Sequence, residues 1–142
     1  MQWDDSENAG FSTGAPWLAV NPNYKEINAA SQIVDADSVL SFYKNLIGLR
    51  KNADYRDTLV YGKVEPYLRG QRNLFAYKRV GEKTLLTLLV AGNFQKGPQK
   101  MRLPEECASM ECPRVILNNY DDIDISGEAI MLKGYQFIVI LV

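Results

Sequence analysis

From residue 58 to the end, the chain alternates short runs of β-branched and aromatic residues with turn-forming residues. This alternation constrains the fold more than any other feature of the sequence. Thr58–Tyr61 and Val64–Leu68 predict one strand region, interrupted by Gly62 and Pro66. A proline there points to an edge strand or a bulge, because it cannot donate to a ladder. Leu74–Val80, a tight turn at Gly81-Glu82-Lys83 and Thr84–Ala91 predict a hairpin. Leu85–Val90 is almost wholly apolar, so its strand is expected to be central and covered on both faces. Gln99–Leu103 predicts a short strand between loops at Gly92–Pro98 and Pro104–Pro113. Arg114–Leu117 is a further strand, Asp121–Gly127 a turn region, and Ala129–Leu132 with Tyr135–Val142 a closing hairpin. The last run, Phe137-Ile138-Val139-Ile140-Leu141-Val142, is uncharged and strongly β-forming. Such a run must be buried in a sheet to avoid aggregation. Seven or eight short strands separated by turns predict a mainly β chain built as an antiparallel sandwich.

The first third follows different rules. One helix is expected from about Asp37 to Asn52. Val39, Phe42, Tyr43, Leu46 and Ile47 recur at three- and four-residue spacing and give one apolar face, whose ordinary use is core packing. Asp35 or Asp37 suits its N-terminal cap, and Arg50 and Lys51 suit its negative end. Residues 12–34 carry turn chemistry at Ser12–Pro16 and Asn21-Pro22-Asn23 and are expected to be irregular. A loop of that length inside a compact domain is unusual unless it is functional or tied to other structure. The first eleven residues are also loop-like, yet they mix acids with Trp3 and Phe11. Acids that bond hydroxyls beside rings that cover the apolar face of a pyranose make up a sugar-binding rim. The competing reading is that the two rings pin the loop to a core.

The composition excludes several functions. The chain of 142 residues suffices for one domain with a sizeable core. Its 16 basic and 17 acidic residues leave no basic footprint for nucleic acid, and no apolar run reaches transmembrane length. The N-terminus is acidic, unlike a signal peptide. There is no histidine, which removes the usual general base and the Ser-His and Cys-His nucleophile pairs. Cys107 and Cys112 cannot by themselves supply a structural zinc site; they form a local disulfide or stay as free thiols, the latter matching a reducing compartment. Asp122-x-Asp124-x-Ser126-Gly127 matches half of a calcium loop. Its twelfth position is Lys133 rather than Glu, however, and its flanks are strands. The Asp4-x-Ser6-x-Asn8 run lacks the required Gly and Glu. Glycoside hydrolysis needs two convergent carboxyl groups, one with a raised pKa. Asp4 and Asp5 are adjacent on an extended chain and point apart. Tyr55, Tyr61, Tyr67, Tyr77, Tyr120 and Tyr135 offer a sugar-stacking platform or, more commonly, strand packing.

Met1-Gln2-Trp3-Asp4, Asn8-Ala9-Gly10-Phe11, Pro16-Trp17-Leu18 and Val20-Asn21-Pro22-Asn23-Tyr24 resemble the late segment of oligo-1,6-glucosidases and related α-glucosidases. These are α-amylase-type glycoside hydrolases. The resemblance continues through Asp37-Ser38-Val39, Phe42–Lys51 and Leu74–Arg79 and into the C-terminal hydrophobic strands. From about Asn93 to Arg114 it holds only in outline. It implies an eightfold β/α barrel followed by a small β-domain, with the nucleophile, the acid/base and the third carboxylate all upstream of Met-Gln-Trp-Asp. Met1 is then expected to be an internal position of a longer protein.

On that footing residues 1–53 are expected to be the last barrel loop and helix. Residues 54–142 are expected to be a C-terminal antiparallel Greek-key β-sandwich. The parent would cleave α-1,6 or α-1,4 glucosidic bonds with retention and without an organic cofactor. This chain would carry no catalytic residue and no metal ligand. Gln2, Trp3 and Asp4 would contribute to the substrate rim, and the β-domain would stabilise the barrel. Its expected partners are the barrel and, through the parent, an α-glucan oligosaccharide, with neither nucleic acid nor membrane, in the cytoplasm. The alternatives are a free-standing carbohydrate-binding sandwich and a non-catalytic interaction module.

Overall fold

The computed structural model describes residues 1–68, 70–108 and 113–142. The chain divides into two compact units, Met1–Leu49 and Arg50–Val142.

The first unit holds two helices, α1 (Ala29–Val34) and α2 (Val39–Lys51), the latter running two residues past the unit boundary. Residues 12–34 are therefore not wholly irregular. α1 exists because its free N-terminal amides have been supplied with acceptors. The Asn28 side chain accepts from Ser31 N–H, and the Gln2 and Trp3 carbonyls accept from Ala29 and Ala30 N–H at 2.9 and 2.8 Å. A six-residue helix has no stability of its own, so these contacts decide it. The expected helix Asp37–Asn52 is present as α2, but its cap is not an aspartate. Ser38 is buried and its hydroxyl accepts from Ser41 N–H, while Gln32 Oε1 accepts from Leu40 N–H. Asp35 instead turns back to accept from Asp37 N–H. α2 buries none of its residues, and Val39, Tyr43 and Ile47 stand exposed along one side. In the whole first unit only Ala9, Asn28 and Ser38 are buried.

The second unit begins with α3 (Ala53–Arg56), capped by Asn52, and continues into a π-helical turn over Asp57–Tyr61. The strand expected at Thr58–Tyr61 is therefore helical. Its carbonyls explain the reversal. Arg79 donates to the Thr58 and Leu59 oxygens and Arg50 donates to the Leu59 oxygen, which completes the helix end. Gly62 follows, where a Cβ would collide with the Thr58 and Val80 carbonyls. Only then does β1 begin, at Lys63–Tyr67.

Among the described residues there are eight strands: β1, β2 (Leu74–Val80), β3 (Thr87–Asn93), β4 (Gln99–Arg102), β5 (Arg114–Asn118), β6 (Asp124–Ser126), β7 (Ala129–Leu132) and β8 (Phe137–Leu141). Every pairing is antiparallel. One sheet has the order β1-β2-β3-β8-β5, the other β4-β7-β6. Pro66 lies on β1 at the edge of the larger sheet, as its missing N–H requires. β3 and β8 are central. Leu88 through Ala91 and Ile138 through Ile140 are buried, so both faces of these strands are covered. Residues 84–86 do not extend β3. Asp57 binds the Lys83 and Thr84 amides, Gly81 N–H reaches Leu86 O, and Leu85 adopts φ +56 in a widened turn.

The expected closing hairpin does not form either. β7 pairs with β4 and β6, whereas β8 pairs with β3 and β5, so the chain changes sheet between Leu132 and Phe137. The connection is a turn, with Tyr135 at φ +59 and Gln136 N–H donating to Lys133 O. Leu74, Ala76, Leu89, Ala91, Ile138 and Ile140 of the larger sheet share one core with Met101, Ile130 and Leu132 of the smaller. The loop expected at Pro104–Pro113 holds one helical turn, α4 (Glu105–Ala108), which seats Cys107 in that core. Cys107 forms no disulfide among the described residues; the expected alternative, a disulfide with Cys112, involves a residue that lies outside them. Among the described residues, no helix is long and apolar enough to cross a membrane.

Candidate functional site

The N-terminal segment folds back on itself. Trp3 N–H donates to Ala9 O at 2.9 Å and Ala9 N–H donates to Ser6 O at 3.0 Å, closing a tight loop. Asn8, Ala9 and Gly10 all have positive φ (56, 56 and 68). Asparagine and glycine adopt this region readily; an alanine there costs about 1–2 kcal/mol, met by burying Ala9. Gly10 is required for a second reason. Any Cβ at this position would overlap the Asp4 carboxylate.

The three expected rim residues have distinct roles in this loop. Gln2 is spent on structure: its amide donates to Asn23 Oδ1 at 3.1 Å and to the Ile27 carbonyl. Trp3 has its ring half exposed. Asp4 accepts from the Ser6 hydroxyl and from Ser6 N–H, and these bonds hold its carboxyl below the ordinary value of 3.8. Asp4 also lines an open depression of about 770 Å³ together with Ser6, Glu7, Gly10, Phe11, Ser12 and Thr13. Two carboxylates, three hydroxyls and one half-exposed phenyl ring can hydrogen-bond and stack on a polyhydroxy ring. Gln2 and Trp3 are not among the lining residues; Glu7, Phe11, Ser12 and Thr13 are, and the sequence pointed only to the Phe11 ring. The sequence signal for them is Asn8 and Gly10, residue types that adopt positive φ readily; with Ala9 they make the turn beside which Asp4 and residues 10–13 line one hollow.

Among the described carboxylates, hydrogen bonds hold Asp4, Asp57, Glu106 and Asp122 below the ordinary carboxylate range. A glycosidic general acid needs the opposite displacement. The half-matched calcium loop has a plain explanation. Lys133, which stands where its glutamate belongs, places Nζ 2.6 and 2.8 Å from the two Asp122 oxygens and 5.3 Å from the Tyr120 ring centre. Among the described residues, no group of three or more acids or cysteines converges as a metal site.

Of the candidate stacking tyrosines, Tyr55 is buried, Tyr67 packs on the core with its hydroxyl on Arg102 O, and Tyr120 donates to Gly134 O, while Tyr61 and Tyr135 are exposed. On β2, Phe75 meets Tyr77 at 5.5 Å and Phe94 at 6.4 Å, with planes inclined by 60° and 75°. Rings so tilted do not offer one flat stacking surface.

The α-amylase catalytic-domain model matches residues 1–62. The chain is 41% identical to the oligo-1,6-glucosidase of Bacillus cereus over 139 residues, 98% of this chain and 24% of that protein. The chain belongs to the α-amylase family. Other α-amylase-family relatives agree. It is 36% identical over 139 residues, 98% of this chain and 24% of that protein, to the trehalose-6-phosphate hydrolase of Bacillus subtilis. Among solved structures, the trehalose-6-phosphate hydrolase of Bacillus licheniformis superposes with a TM-score of 0.83 at 35% identity. The trehalulose synthase of Pseudomonas mesoacidophila superposes at 0.85 and 37%. Each superposition covers 99% of this chain and 24% of the other. This family chain thus spans about a quarter of the length of the relatives it matches.

Proposed function

We propose that this chain is the C-terminal part of an α-glucosidase of the oligo-1,6-glucosidase type. In this reading residues 1–53 supply a rim loop and the last helix of the catalytic barrel, and residues 54–142 are a Greek-key β-sandwich that stabilises that barrel. The parent hydrolyses α-glucosidic bonds in oligosaccharides in the cytoplasm. The chain by itself does not turn over substrate.

The observation that carries the reading is the state of the first unit. Not one large apolar side chain in it is buried, while Trp17, Val34, Val39, Tyr43 and Ile47 are each at least half exposed. Apolar surface of that extent belongs against other protein. The family's catalytic-domain model matches this part of the chain, and the relatives are about four times longer. The missing barrel is the partner whose chemistry fits. The hydroxyl- and acid-lined hollow beside Phe11 supports the rim role of the loop, with Asp4 as the expected rim residue that faces it.

A domain graft tests the reading. The matching 139-residue stretch of the Bacillus cereus oligo-1,6-glucosidase is replaced by this chain. The chimera is expected to fold and to release glucose from isomaltose. A folded chimera without that activity, assembled around an intact barrel, would overturn the proposal.

A further inference from the structure

We draw no further inference here: the strongest candidate, the exposed aromatic cluster of Phe75, Tyr77 and Phe94 on the non-core face of the five-stranded sheet, is an unpartnered apolar face, and nothing in the structure shows what covers it.

Discussion

Asn93 ends β3 of the larger sheet, and its side chain fastens the end of β7 in the smaller one. Its Nδ2 donates to Lys133 O at 2.8 Å, Gly97 O at 2.9 Å and, more weakly, Leu132 O at 3.3 Å. Its Oδ1 accepts from Gln95 N–H at 2.9 Å. The residue is 3% exposed, so water does not replace these bonds without rearrangement. Three good hydrogen bonds at roughly 1 kcal/mol each give a cost of about 3 kcal/mol for Asn93→Ala. For a domain of this size that lowers Tm by roughly 12–24 °C. Asn93→Asp is nearly isosteric but turns the donor into an acceptor facing carbonyl oxygens. At neutral pH it is expected to cost more than the alanine variant, because a buried charge without a partner costs several kcal/mol. The difference narrows in acid, where the introduced carboxyl gains a proton to donate. Urea unfolding of the three proteins at pH 7 and pH 4 measures all of this. If Asn93→Ala loses less than about 0.5 kcal/mol, or Asn93→Asp is no worse than it at pH 7, the pin is not what joins the sheets at the crossover.

Ala9→Gly relieves a left-handed alanine and is expected to stabilise the first unit by up to about 1 kcal/mol, whereas Gly10→Ala expels the Asp4 carboxylate and destabilises it; protection from limited proteolysis ranks the three proteins. Ile138→Ala removes a fully buried side chain from the shared core and costs about 2–5 kcal/mol by chemical denaturation. Tyr43→Gln and Ile47→Gln alter exposed side chains and are expected to change the stability of the isolated chain by less than about 0.5 kcal/mol while lowering its binding of an apolar dye. The carboxyls of Asp57, Glu106 and Asp122 sit below their unfolded values, so their stabilisation is present above the ordinary carboxylate range and is lost as pH falls through it. Unfolding midpoints measured from pH 6 to pH 2 should fall, less steeply in Asp57→Asn and Asp122→Asn.

β2 was readable to the residue because the Leu74–Val80 run lies between turn residues on both sides. The burial of β3 and β8 followed from their unbroken apolar runs. Thr58–Tyr61 misled because its β-branched composition is overruled by Arg50 and Arg79, which bind its carbonyls from distant positions. α1 was invisible because six residues carry no period, and its amides are held by Gln2 and Trp3, over twenty residues earlier. Lys133-Gly134 resembles a hairpin turn, yet the positive φ of Tyr135 and the Asn93 pin send the chain into the other sheet. At the candidate site, the sequence marked Gln2, Trp3 and Asp4 together. In the fold Asp4 lines the hollow with Phe11, the Gln2 amide bonds Asn23 Oδ1, and Trp3 stands half exposed.

On the proposed reading this chain acts only as part of a larger glucosidase. The most direct measurement is glucose release from isomaltose by the chain alone and by the chain refolded with a polypeptide comprising the remaining three quarters of an oligo-1,6-glucosidase. No turnover is expected from either polypeptide separately, and turnover is expected to return when the two are combined. Turnover by this chain alone, or a stable combined complex that stays inactive, would contradict that reading.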